Sequence, residues 1–277
     1  MNRLAVGIVA AAAVLALAGS GTARPQASEI RVAAALNASQ EVPTPSGSVS
    51  GARGTFTATV TRSGSGATMS WELSFNGLTG PANAAHVHIA PRGQPGGVAV
   101  PLCGPCQSPV SGTATIDANV LQALESGGAY VNVHTPTNAP GEIRGQLAVT
   151  AGVRTALTAR QEVPRPKGRA NRARGAFTAT VTRSGTSGAI AWRLTFSRLT
   201  GRAIAAHVHI GARGRAGGVA LPLCGPCRSG VRGTANVNAA LLAALEAGRA
   251  YVNVHTRRNP AGEIRGQLPQ VPLRITP

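Results

Sequence analysis

Apolar and polar residues alternate with a period of two over much of this chain, most clearly from Met69 to Phe75. Met, Trp, Leu and Phe occupy every second position there, with Ser and Glu between them. Because successive side chains of a strand point to opposite faces, this pattern predicts a strand with one face in a core. We place its tryptophan, Trp71, at the centre of that core, and Trp192 occupies the matching place in the second half of the chain.

A stretch of nineteen residues occurs twice in the chain. Residues 129–147 read AYVNVHTPTNAPGEIRGQL, and residues 250–268 read AYVNVHTRRNPAGEIRGQL, 121 positions later. In each copy, apolar and polar residues alternate before and after a Pro/Asn-rich turn. This pattern predicts an antiparallel hairpin with one polar face. The register that keeps polar residues together pairs Tyr130 with Gln146, Asn132 with Arg144, and His134 with Glu142.

Other predicted elements recur in both halves at the same offset. A threonine-rich alternation predicts a strand over Gly54 to Thr61, and AAHVHIA predicts another over Ala84 to Ala90. Asp117 is typical of a helix N-cap, and it precedes a short apolar run. About seven or eight short strands with one short helix in each half favour an all-β fold: two tandem antiparallel β-sandwich or barrel domains with Greek-key-like connections.

The first residues predict export from the cytoplasm. Residues 1–23 have a charged start and then an apolar run, Leu4 to Gly19, that is too short for a membrane span. This is typical of a secretory signal peptide, so we expect a mature chain that begins near Arg24. We expect that chain to be secreted, or at least extracytoplasmic, with no transmembrane anchor.

The repeat divides the remaining chain into two domains. Domain 1 is predicted over residues 30–149 and domain 2 over residues 150–268, followed by a tail at 269–277. Each is long enough to bury its own core. A short link at Ala148 to Arg154 predicts restricted freedom between them.

Charge is divided unevenly between the domains. The chain has 27 Lys and Arg against 9 Asp and Glu, but residues 30–149 hold five arginines and five acids. The excess therefore belongs to domain 2, where it predicts contact with anionic envelope or matrix polymers through counterion release. Candidate polyanion-binding residues are those that replace uncharged or acidic residues of domain 1: Arg193, Arg202, Arg215, Arg228, Arg257 and Arg258.

Two observations limit the interpretation of this charge. All but one of the basic residues are arginines, as a GC-rich coding sequence tends to produce, so composition alone is an alternative explanation. Aromatic residues make up only 3% of the chain, which argues against specific recognition of nucleic acid by stacking on bases.

All six histidines occupy three equivalent positions in each half. Two histidines at i and i+2 share a strand face, and a third on another strand completes a three-nitrogen pocket suited to zinc or copper, oriented by Glu41 or Glu142. The alternative is a polar network in which Glu142 pairs with Arg144. The candidate metal ligands are His86, His88, His134, His207, His209 and His255, and the polar-face residues are Glu41, Tyr130, Asn132, Glu142, Arg144, Glu162, Tyr251, Asn253, Glu263 and Arg265.

Two Cys-Gly-Pro-Cys elements have the letters of a thioredoxin motif. That chemistry requires a helix N-terminus after the motif, whereas Pro and Gly follow here. In an oxidising compartment local disulfides are expected, between Cys103 and Cys106 and between Cys224 and Cys227.

Four motifs, QEVP, AAHVHI, AYVNVHT and GEIRGQL, occur in this order in both halves. Together they resemble the CHRD domain, which is named for chordin, a secreted animal antagonist of bone morphogenetic proteins. The resemblance covers nearly all of Ile30 to Leu147 and of Ala151 to Leu268, and it implies an all-β fold without an established enzymatic role.

The sequence is therefore consistent with two functions. The first is a secreted, non-catalytic binding or structural protein whose partners are envelope polymers or other extracytoplasmic proteins, with no required cofactor. The second is a metal-dependent redox or hydrolytic enzyme that uses the three-histidine faces, since the HVH strand has a superficial likeness to copper/zinc superoxide dismutase.

Overall fold

Strands dominate the fold, in agreement with the period-two pattern. The structure is a computed structural model that describes residues 29–274, so the predicted signal peptide, 1–23, lies outside the described residues. The elements of domain 1 are β1 Glu29–Asn37, β2 Arg53–Ser63, β3 Gly66–Asn76, β4 Ala84–Ile89, β5 Gly97–Cys103, β6 Val110–Ile116, α1 Ala118–Ser126, β7 Ala129–His134 and β8 Ile143–Gln146. Those of domain 2 are β9 Ala148–Thr158, β10 Arg174–Ser184, β11 Ser187–Ser197, β12 Ala203–Ile210, β13 Gly218–Cys224, β14 Val231–Val237, α2 Ala239–Glu246, β15 Ala250–Thr256 and β16 Ile264–Gln267.

Each domain is a sandwich of two antiparallel walls that meet at its first strand. In domain 1 the outer wall has the order β1-β2-β3-β6, and the inner wall has the order β8-β7-β4-β5. The end of β1 also pairs with β8, at Asn37 and Arg144. The connections from β3 to β4 and from β5 to β6 cross between the walls, as expected for Greek-key-like packing. The predicted all-β fold is confirmed. The sheet is not closed, so each domain is a sandwich and not a barrel.

The core lies between the walls, where β3 presents the apolar residues of the alternating pattern. Trp71 is 6% exposed, and its indole lies 6.4 Å from the ring of Phe56. Gly112 is directly opposite Trp71 on β6, and a Cβ at that glycine would lie 2.8 Å from the indole. The predicted core position of Trp71 is therefore confirmed, and it depends on a neighbour without a side chain.

The predicted helix is α1, and its ends have the expected chemistry. The carboxylate of Asp117 accepts a hydrogen bond from Val120 N at 2.9 Å. Gly127 ends the helix at φ +73°, a conformation that glycine adopts without steric cost. Leu121 and Leu124 are buried against the sandwich.

The predicted link between the domains is part of a strand. Residues 148–154 form the first half of β9, which pairs with both β1 and β10. Thr150, for example, lies opposite Arg31 of domain 1. The outer walls consequently join into one sheet with the order β6-β3-β2-β1-β9-β10-β11-β14.

The described part of the C-terminal tail packs on domain 2. Val271 and Leu273 are buried, and Val271 N donates to Leu245 O of α2 at 3.1 Å. The side chain of Arg274 lies 3.4 Å from Glu246. Residues 269–274 thus extend the core of domain 2. Neither helix within residues 29–274 has the length and apolarity needed to cross a membrane.

The repeated hairpin has the register predicted for its middle residues. Tyr130 is opposite Gln146 and Asn132 is opposite Arg144. Every residue of β7 and β8 is buried, so the polar face is not exposed to solvent. The loop at 91–96 lies over this face and binds its polar groups, as described next.

Candidate metal centre and basic surface

Three histidines of domain 1 come together where β4 and β7 pair. β4 carries His86 and His88 on one face, and β7 carries His134. One ring nitrogen from each histidine lies within 4.8 Å of the other two. His86 Nδ1 is 3.1 Å from His134 Nε2. The three positions that the sequence singles out therefore form one cluster.

Main-chain carbonyls set the tautomers of two of these histidines. His134 Nδ1 lies 2.9 Å from Ala139 O, and His88 Nδ1 lies 2.9 Å from Gly96 O. A carbonyl oxygen only accepts hydrogen bonds, so both Nδ1 atoms carry the proton and both Nε2 atoms present a lone pair. The Nε2 of His88 is buried and has no hydrogen-bond partner in the part of the chain that the structure describes.

The imidazoles of the cluster are neutral at physiological pH. Burial lowers the pKa of His86, His88 and His134, and repulsion between the rings lowers that of His86 further. In domain 2, burial followed by repulsion from the other histidines lowers the pKa of His207 to about 4. Neutral imidazole is the form that binds a metal ion.

A stack of side chains holds His88 in place. The ring of Tyr130 lies parallel to His88 with 4.9 Å between centroids, and the Arg144 guanidinium carbon is 3.4 Å from the Tyr130 ring centroid. Arg144 also donates to Gln94 O at 2.8 Å and to Pro91 O at 3.1 Å. The loop that covers the polar face is therefore fixed to the same stack.

The carboxyl group of Glu41 is buried beside this stack. Its Oε1 accepts a hydrogen bond from Val42 N at 3.1 Å, whereas its Oε2 has no hydrogen-bond partner among the described residues. Burial raises the pKa of Glu41, although the hydrogen bond from Val42 N and the charge of Arg144 partly offset this. At the equivalent Glu162, burial raises the pKa to about 7.

The predicted pairing of Glu142 with Arg144 is wrong. The carboxylate of Glu142 instead accepts hydrogen bonds from Thr79 N at 2.7 Å, Thr135 Oγ1 at 2.7 Å and Asn138 Nδ2 at 3.1 Å. Burial alone would raise the pKa of Glu142, but these bonds outweigh it and lower the pKa. The reason is positional: Glu142 precedes β8, so its side chain turns back to the hairpin turn.

Neither acid orients an imidazole, contrary to the second-shell role predicted for Glu41 or Glu142. His134 bonds to Ala139 O, and the carboxylate of Glu142 is occupied by threonine and asparagine side chains. The hairpin turn thus supplies the carbonyl that holds His134, which the sequence pattern does not reveal.

Domain 2 reproduces this geometry at every position. His207 Nδ1 lies 3.0 Å from His255 Nε2, and the Nε2 of His209 is buried without a hydrogen-bond partner within residues 29–274. The residues that repeat the remaining contacts are Gly217 and Pro260 for the carbonyls, Tyr251 and Arg265 for the stack, Asn253 and Glu162 beside it, and Thr200, Thr256 and Asn259 around Glu263. The recurrence of these Thr and Asn residues is the only sequence signal for the Glu142 contacts.

The cysteines form the two predicted local disulfides. Cys103 is bonded to Cys106, and Cys224 is bonded to Cys227. In domain 1 the bond lies in the connection between β5 and β6, with a strand after it. The thioredoxin-like interpretation is therefore excluded by the missing helix.

All six predicted polyanion-binding arginines are exposed, but they do not form one patch. Arg202 and Arg228 line a surface cavity of about 650 Å³ together with Arg198, beside the disulfide of domain 2. The other predicted members are placed separately: Arg193 on β11, Arg215 in the loop over the histidines, and Arg257 and Arg258 in the hairpin turn.

Arg193 belongs to a row of arginines that crosses the outer wall of domain 2. It lies directly opposite Arg232 on β14, and on its other side Thr178 of β10 separates it from Arg154 of β9. Directly opposed residues of antiparallel strands share a face, so all three arginines project outward. Arg154 and Arg232 are not among the arginines predicted from the sequence, although they replace Ala33 and Ser111 at the same offset.

The comparisons with known proteins identify the domains. The sequence profile described as CHRD domain matches residues 32–147 and 153–268. The chain belongs to the CHRD family. No curated protein and no solved structure matches it.

Membership of the CHRD family supports a coarse functional statement. CHRD domains are extracellular-type binding or structural domains that are not known as enzymes. The two disulfides fit an oxidising compartment. The histidine clusters and the arginine row lie within the matched residues of these CHRD domains.

Proposed function

We propose that this protein is a secreted, non-catalytic binding protein, and that its second CHRD domain holds anionic envelope or matrix polymers on its outer wall. The observation that carries the proposal is the row of Arg154, Arg193 and Arg232. An anionic polymer laid along this row would meet three guanidinium groups on three strands. Exposed guanidinium groups bind carboxylate, sulfate or phosphate groups without recognising a particular polymer sequence.

The row has an electrostatic cost that a bound anion would remove. Arg193 and Arg232 are directly opposite each other, and like charges in that position destabilise a sheet by a few tenths of a kcal/mol or more. Neighbouring outward residues are small and uncharged, including Thr180, Ala191 and Thr234. An extended polymer therefore has a flat surface beside the charges.

The acids of domain 2 do not neutralise the row. Glu162 is buried beside the stack of Tyr251 and Arg265, and Glu263 is buried at the hairpin turn of the inner wall. Glu246 forms ion pairs with Arg183 and Arg274, near α2. The positive charge of the outer wall is therefore available to an external ligand.

Domain 1 lacks the same surface. At the equivalent positions it has Ala33, Thr57, Glu72 and Ser111, so its row carries an acid in place of an arginine. The two domains share one fold, and the difference in charge lies in outward side chains alone. This contrast supports a ligand that contacts domain 2 specifically.

The test compares two pairs of substitutions in the full-length protein on a sulfated-polysaccharide resin. Wild type should be retained at physiological salt and released as salt rises. Arg193→Ser with Arg232→Ser should elute at lower salt, with a salt slope reduced by about 1.5 to 2. The control pair, Arg172→Ser with Arg249→Ser, removes the same charge from exposed positions outside the row.

The control pair decides between the two explanations of the charge. If it lowers retention as much as the row variant does, binding reflects net charge and the proposal is wrong. A sulfated polymer should also raise the melting temperature of wild type more than that of the row variant, since the ligand stabilises only the state that binds it.

The metal-dependent enzyme is the second candidate, and only the two histidine clusters favour it. Its test is turnover. Copper-loaded protein should dismutate superoxide in the presence of a chelator that inactivates free copper, or zinc-loaded protein should hydrolyse an ester faster than free zinc. The absence of both activities removes this candidate.

A further inference from the structure

We infer that each CHRD domain contains a binding site for one copper(II) or zinc(II) ion, formed by His86, His88 and His134 in domain 1 and by the equivalent histidines in domain 2. The site is independent of polymer binding, since it lies within the inner wall, whereas the arginine row lies on the outer wall. It requires no catalytic activity.

The Nε2 lone pairs of His88 and His134 are arranged to bind a metal ion. Ala139 O and Gly96 O hold the Nδ1 protons of His134 and His88, so their Nε2 lone pairs point away from these carbonyls toward the cluster. Metal-binding histidines in proteins almost always donate their second N–H in this manner. The ligand set is therefore oriented before any ion arrives.

The Nε2 of His88 has no hydrogen-bond partner among residues 29–274, and neither has the same atom of His209 in domain 2. A buried acceptor without a partner is unfavourable. A polar network explains the contact of His86 with His134 at 3.1 Å but leaves His88 Nε2 unsatisfied. A metal ion at the centre of the cluster would satisfy all three histidines.

The three imidazole ligands determine which metal ions the site would bind. Three neutral imidazoles favour copper or zinc, whereas magnesium and calcium require oxygen ligands. His86 is the partly exposed member of the cluster, so an ion can approach from its side. The stack of Tyr130 and Arg144 closes the opposite side of His88.

The experiment is metal analysis of the full-length, tag-free protein after loading with zinc(II) or copper(II) and dialysis. Two clusters predict about two equivalents of bound metal. His88→Phe keeps a ring to stack on Tyr130 but has no ligand atom, so it should retain about one equivalent. The double variant His88→Phe with His209→Phe should retain none.

Two further variants keep the result interpretable. His86→Gln with His207→Gln changes the partly exposed ligands, and it should also abolish retention if the phenylalanine variants fold poorly. Replacing all four cysteines by serine should leave about two equivalents, since the disulfides take no part in the site.

Spectroscopy provides a second readout. Bound copper(II) should show hyperfine coupling to about three imidazole nitrogens in its electron paramagnetic resonance spectrum. Less than about a tenth of an equivalent in wild type, or equal retention by folded variants that lack the histidines, would overturn the inference.

Discussion

At the scale of single residues, Trp71 and Gly112 form one packing unit. Trp71→Ala should lower the free energy of unfolding by about 3 to 5 kcal/mol, because a large core side chain is removed. Denaturant unfolding measures the loss, with the exposed Ser70→Ala as the control, for which we expect a change within about 0.5 kcal/mol. An unchanged unfolding curve for Trp71→Ala would contradict the core position.

The Gly112 side of this contact gives a separate prediction. Gly112→Ala places a Cβ against the indole of Trp71, and overpacking of this kind costs about 1 to 3 kcal/mol. In a Trp71→Leu background the same substitution should cost clearly less, because the clashing ring is gone. Equal costs in both backgrounds, measured by a double-mutant cycle, would show that the two residues do not interact.

Glu162 should make stability depend on pH. Its pKa rises from 4.5 to about 7 on folding, because burial of the carboxyl group outweighs the opposing effects of the hydrogen bond from Val163 N, the charge of Arg265 and the side chain of Asn253. The folded state thus holds the proton more tightly, so the stabilisation is complete below pH 4.5 and is lost as pH rises through about 7. The loss amounts to roughly 3 kcal/mol, and Glu162→Gln should remove it.

His207 titrates in the opposite direction, so wild type must be compared with Glu162→Gln at each pH. The pKa of His207 falls from 6.5 to about 4 on folding, and its contribution to stability is therefore gained as pH rises between these values. Denaturant unfolding in the presence of a chelator, from pH 4 to pH 8, measures both. Parallel curves for wild type and Glu162→Gln would show that Glu162 does not titrate there.

At the scale of elements, the disulfides should contribute little to stability. Cys103 and Cys106 are separated by three positions, so their bond closes a very small loop and removes little entropy from the unfolded chain. Replacing both by serine should cost about 2 kcal/mol or less, which is below the cost of Trp71→Ala. A larger loss in denaturant unfolding would mean that the bond organises the connection between β5 and β6.

At the scale of the whole molecule, the turn between β10 and β11 packs against domain 1. A Cβ at Gly185 would lie 2.7 Å from Ser126 O at the end of α1, whereas a Cβ at the equivalent Gly64 meets no atom within 4 Å. Both glycines have a left-handed φ, +63° and +59°. The two positions therefore differ in the contact between domains and not in backbone strain.

Alanine substitutions at Gly64 and Gly185 separate the effect of backbone strain from that of the contact between the domains. Gly64→Ala should cost about 1 kcal/mol through strain alone. Gly185→Ala should cost about 1 to 3 kcal/mol more, because it also clashes with α1 and weakens the contact between the domains. Calorimetry measures both the loss and any splitting of the transition. Equal losses would indicate that the domains unfold independently of this contact.

Most of the local structure of this protein could be predicted from its amino-acid sequence. Side-chain alternation predicted the strands, the register of Tyr130 with Gln146 and the core position of Trp71, since each follows from the period of a strand and the burial of apolar groups. The spacing of Cys103 and Cys106 likewise predicted a local disulfide.

The contacts between polar groups of distant segments could not be predicted from the sequence. The period of a strand predicts which face of the sheet a side chain occupies. Contacts between distant segments depend instead on how loops fold over that face. The loop at 91–96 therefore brings carbonyls to His88 and Arg144, and the hairpin turn draws Glu142 away from Arg144. In the same way, the pairing of β11 with β14 sets Arg193 opposite Arg232, because strand neighbours are chosen by the packing of the whole sheet.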